Sequence, residues 1–195
     1  MRAIRNVFAL IGLLAVIGVI YLYVTFEDDI RTLQSLDPGA PQMYAQMWDR
    51  LKETGTSADA TVWKIPLEEG IGPDEAEQTM NFVANEHNIM NVGELPLSEQ
   101  VQLMTGEEQR LLKIFQYCDP RTAMKMVEYS DAFSAYLPCR IALVEDRQGG
   151  YALYSLNMDL MIHGGETLPP DLLEEANEVK RIIRDIMERA AAGEF

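Results

Sequence analysis

Few side chains in this sequence are equipped for chemistry. They are His87 and His163, Cys118 and Cys139, and the methionines Met90, Met158 and Met161, which lie close to the histidines. Imidazole and thioether groups are ligands for soft transition metals, cuprous copper above all. The run "NMDLMIHGG" holds Met158, Met161 and His163, while Met90 follows His87 at a distance of three. A fold that joined the two clusters would make a copper site, with Cys118 and Cys139 as further ligands if reduced. The same residues also suit packing. Met158 continues the phase of a strand ending near Leu156, Met161 and Ile162 can cover the end of a sheet, and His163 can cap a carbonyl or face solvent.

The cysteines allow three readings: a disulfide if the body lies outside the cytoplasm, two buried thiols, or a reactive or metal-binding pair. A Cys-x-x-Cys spacing is absent, and an ionised Asp119 beside Cys118 would oppose a thiolate. The sequence has no glycine-rich phosphate loop, His-x-x-x-His pair or Gly-x-Ser-x-Gly elbow. This favours a non-catalytic protein.

The elements that must position these residues begin with "IRNVFALIGLLAVIGVIYLYV" at 4–24. At 1.5 Å per helical residue this apolar run spans about 30 Å, the thickness of a hydrocarbon core. Large residues and then Glu27, Asp28 and Asp29 follow it, where a cleaved signal would need small ones, so the run reads as a retained single-pass anchor. Arg2 and Arg5 place the N-terminus in the cytoplasm and the body in the periplasm of a Gram-negative inner membrane. All 31 acidic residues and 14 of the 16 Lys and Arg come after Phe26, a formal charge of about −17 for that part. Such a body is repelled by nucleic acid and anionic lipid, and suits basic partners.

Three regions are expected: an anchor at 1–26, a helical collar or linker at 27–60 and an acidic α/β domain at 61–195. In the collar, Met43, Met47 and Leu51 form one face of a helix over 42–52. In the body, strands are expected at 61–67, 89–97 and 111–117. Helices open at Pro73, with His87 facing the body near the end, and at Pro120, where Asp119 is the cap. A hairpin follows Pro138, with Ile141 and Leu143 inward, a turn at Gln148, Gly149 and Gly150, and Ala152, Tyr154, Leu156 and Met158 inward on the return. A long helix from Pro170 carries Leu172, Ala176, Val179, Ile183, Ile186 and Ala190 on its buried stripe. The expected fold is a compact two-layer α/β domain, its mixed or antiparallel sheet backed by helices and preceded by one transmembrane helix.

Cys118-Asp119-Pro120 at a strand end, a helix, and Leu137-Pro138-Cys139 opening the next strand resemble the family catalogued as domain of unknown function 302. The resemblance spans about residues 60–190, with Asp119 where the family often has Asn. It implies a sheet backed by helices and supplies no catalytic residues.

Together these features lead to a membrane-anchored, non-catalytic accessory or interaction subunit. A respiratory or photosynthetic electron-transfer complex is a natural setting, because its soluble carriers are often basic and steered by charge. The alternative is an extracytoplasmic ligand- or copper-binding protein.

Overall fold

The computed structural model describes residues 2–195; the side chains of residues 1–4, Arg2 among them, lie outside the described set. Helix α1 (Arg2–Thr25) is followed by α2 (Glu27–Ser35), α3 (Ala40–Thr54) and the single turn α4 (Ser57–Ala60). The body then runs β1 (Val62–Pro66), α5 (Pro73–Glu86), β2 (Met90–Pro96), α6 (Leu97–Thr105), β3 (Leu112–Cys118), α7 (Pro120–Tyr129), a 3-10 helix (Asp131–Tyr136), β4 (Cys139–Glu145), β5 (Tyr151–Leu156), α8 (Asp159–His163) and α9 (Pro170–Ala192).

The five strands form one sheet in the order β1-β5-β4-β3-β2, with every pair antiparallel. Phe115, Tyr117, Ile141, Leu143 and Leu153 point from it into the core, where they meet Met80 and Val83 of α5 and Ile183, Ile186 and Met187 of α9. The stripe expected on α9 is the one it buries, with Val179 packed at its margin.

The return strand of the hairpin departs from expectation. Leu153 is fully buried opposite Leu143, and Ser155 is buried opposite Ile141, whereas Leu156 is exposed. Both phases of this strand are largely apolar, so alternation alone cannot select the inward one. The turn does so by pairing Glu145 with Tyr151, and a one-residue change of register swaps the faces. "NMDLMIHGG" is likewise no strand end. The strand stops at Leu156, the Asn157 side chain accepts from the Asp159 amide at 3.0 Å, and α8 begins. Met158 is buried at the start of that helix.

Residues 5–25 of α1 have a mean hydropathy of 2.7 and no burial against the body. A core helix would be covered by the body; this one is not covered by the described residues, and it is long and apolar enough to cross a membrane. The short, acidic α2 escapes sequence reading because Ile30 and Leu33 are its only large apolar residues. It nearly continues α1, since the Phe26 amide donates to Leu22 and the Ile30 amide to Phe26, at 2.9 and 2.8 Å.

Candidate functional site

His163, Gly164 and Gly165 form a socket for the chain that enters from α2. The Asp37 amide donates to the Gly165 carbonyl at 2.8 Å, Leu36 bridges Glu166, and the Tyr44 hydroxyl donates to the Gly164 carbonyl at 2.6 Å. His163 Nδ1 lies 2.9 Å from Asp37 Oδ1, which also accepts from the Gly39 amide at 2.8 Å. Burial opposes ionisation of Asp37, which is 5% exposed, but the Gly39 amide, the Thr167 hydroxyl and His163 outweigh it and hold the carboxyl below its ordinary value. Gly164 is needed where α8 ends. A Cβ there would stand 2.2 Å from the Leu160 carbonyl oxygen and 3.5 Å from the end of Met43, itself buried on α3.

His87 lies elsewhere. It caps the C-terminus of α5 and its Nε2 meets Asp185 of α9 at 2.6 Å, with Arg189 at 3.8 Å from the same carboxylate oxygen. Met90 is exposed at the start of an edge strand. The two histidine–methionine groups that a copper site would have to join are therefore anchored by different elements, each histidine held by its own carboxylate. Met158 is in the core and Met161 packs against it. Among the described residues, no three His, Cys, Asp or Glu side chains form a metal-binding group.

Cys118 and Cys139 do come together. Adjacent strands bring them to one end of the sheet as unbonded thiols lining a void of about 20 Å³ with Thr122, Met126 and Val179. Burial raises both thiols, Cys118 with help from Asp119, and Cys139 to about 11 with help from Cys118. These are protonated groups at neutral pH. Asp119 caps α7 as expected, accepting from the Arg121 amide at 2.9 Å.

Above the cysteines, Asp119, Thr122 and Val179 also line an open cleft of about 1000 Å³ between α7, α9 and the turn carrying His87. Lys125 of α7 reaches Glu175 of α9 at 2.5 Å, and Arg181 pairs with Glu178. The cleft can hold a polar ligand, with His87, held from behind by Asp185, on its wall.

Sequence reading missed several polar partners. Asp37, Tyr44 and Asp185 act at long range and carry no local signal. The same holds for Lys113, which bridges Glu77 at 2.7 Å and Glu94 at 2.9 Å, and for the wholly buried Tyr117, whose hydroxyl has no hydrogen-bond partner among the described residues. Burial and the Glu94 and Glu77 carboxylates push the Tyr117 phenol up.

The model of domain of unknown function DUF302 matches residues 63–190. The chain is also similar in fold to a crystal structure of an uncharacterized conserved protein DUF302 from Bacillus stearothermophilus. The TM-score is 0.53 at 14% identity, covering 67% of this chain and 98% of that one. No curated protein matches the sequence. The extent of the family match, together with the antiparallel sheet backed by helices, shows that this chain belongs to the DUF302 family.

Proposed function

We propose that this protein is a membrane-tethered, non-catalytic accessory subunit that presents an acidic DUF302 body to a membrane protein complex. The carrying observation is the uncovered apolar helix α1, which runs through α2 into a body locked to it at Asp37 and Tyr44. A flexible tether would let the body wander; a locked one presents a fixed face to a neighbour in the same bilayer. Arg2 and Arg5 orient the chain with its N-terminus in the cytoplasm and its body in the periplasm. A charge of about −17 beyond Phe26 favours a basic partner, such as a soluble carrier steered to a respiratory or photosynthetic electron-transfer complex. Native mass spectrometry after gentle extraction from the source membrane tests this reading. Defined membrane subunits should co-isolate, and an isolated monomer across several detergents would overturn it.

The second reading is ligand binding, favoured by the cleft beside His87. Its copper form would need His87, Met90, Met158, Met161 and His163 to move from the separate positions they occupy. Metal analysis of the full chain purified without chelator checks that form, which requires about one equivalent of copper.

A further inference from the structure

Behind the socket lies a smaller pocket of about 250 Å³ whose wall is aromatic. Tyr129 at the end of α7 and Phe133 and Tyr136 of the 3-10 helix form a continuous group. Ring centroids are 6.1 Å apart for Tyr129 and Phe133 and 6.4 Å for Phe133 and Tyr136, tilted by 44° and 51°. Met161 and Leu168 contribute apolar surface, and the exposed Glu166 is the one charged side chain in the lining. Tyr129 and Tyr136 are each about two-fifths exposed, 43% and 37%, so the rings reach the opening.

We propose that this pocket binds a small alkylated ammonium ion, of the kind carried by choline. Aromatic rings attract a cation within about 6 Å of their centroids, and an alkylated ammonium also gives apolar contact to rings and to methionine. Glu166 supplies the counter-charge, and a body of about −17 raises the local concentration of cations. An anion would meet a carboxylate with no cation in the lining. The volume lies below the range of roughly 300–1,000 Å³ typical of drug-sized ligands, which restricts the occupant to a few heavy atoms.

The ligand can come free from water or as a lipid headgroup, and the stem, made of α2 and the residues that follow it as far as Tyr44, favours water. Glu166 pairs with Leu36, the residue after α2, and the nine residues of α2 rise about 14 Å from the end of α1. The headgroup layer on each side of a bilayer is only about 5–8 Å deep. This placement of the source rests on the proposed membrane crossing; the cation site itself does not.

The test is calorimetric titration of the full chain in a maltoside detergent with choline, tetramethylammonium and the neutral carbon isostere 3,3-dimethylbutan-1-ol. Both cations should bind at least tenfold more tightly than the isostere. Phe133→Leu and Glu166→Gln should each weaken choline at least fivefold and leave the isostere within twofold. Circular dichroism confirms folding, and Glu166→Gln, at an exposed site, keeps the test usable if Phe133→Leu fails to fold. Equal affinity for choline and isostere, or no choline binding by the folded chain, overturns the proposal. In nanodiscs of phosphatidylglycerol, added phosphatidylcholine should leave choline binding unchanged. Competition there would support the cation site and overturn its assignment to a water-borne ligand.

Discussion

Two histidine–carboxylate pairs stand in this molecule in unlike surroundings. At the stem, His163 meets Asp37, a carboxylate 5% exposed that also holds the Gly39 amide and whose own amide is bound to Gly165. At the cleft, His87 meets Asp185, whose side chain is 33% exposed and has Arg189 close by. The residue types are the same, and burial with backbone bonding separates them. The first pair fixes the added N-terminal segment to a domain whose family match begins only at residue 63. The second leaves an imidazole on the wall of an open cleft.

The largest test of this contrast removes each carboxylate. Asp37→Ala strands the Gly39 amide and the His163 ring, with an expected loss of about 3 kcal/mol in denaturant unfolding. Asp185→Ala should cost about 1 kcal/mol or less, because water can replace the carboxylate. Equal losses would break the comparison. Gly164→Ala should cost about 2 kcal/mol through the contact at the Leu160 carbonyl. The fall in melting temperature would be accompanied by faster proteolysis of residues 36–44 if the stem leaves its socket.

Acid probes the first pair. Asp37 binds its proton more weakly in the folded chain than at its ordinary value of 3.8. The unfolded chain therefore takes up more protons in acid. The stabilising contribution is complete above about pH 4 and disappears as the pH falls through the folded value. Asp37→Asn should flatten this part of the acid-unfolding curve. Fluorescence-monitored unfolding from pH 5 down to pH 2 measures it.

The body was more legible in the sequence than either pair. Proline and glycine marked the starts of α5, α7 and α9 and the hairpin turn, and periodicity identified the buried stripe of α9, because those signals act over a few residues. The phase of β5 was not legible, since Leu153 and Leu156 are equally apolar and only pairing with Leu143 selects one. The socket was hidden for a further reason. His163 and Asp37 are 126 residues apart, and a histidine beside methionines carries the same local pattern whether it binds a metal or a carboxylate. The two cysteines were nearer to legible, because strand ends joined by one helical crossover fall at the same edge of an antiparallel sheet.

That edge supplies the smallest of the effects. Cys118 should react before Cys139, the more deeply buried of the two thiols. Cys139 is raised to about 11 by burial and by its neighbour thiol, so at pH 8 almost none of it is thiolate, and iodoacetamide should label Cys118 several-fold faster. The thiol of Cys139 ionises at 9.0 in the reference state, and its folded value is higher. Its contribution to stability is full below about pH 9 and is lost as the pH rises toward about 11. Cys139→Ala should remove this alkaline loss without altering the acid limb assigned to Asp37. Mass spectrometry of timed alkylation would overturn the ordering if both thiols labelled at one rate, which would place Cys139 in the same open surface as the cleft.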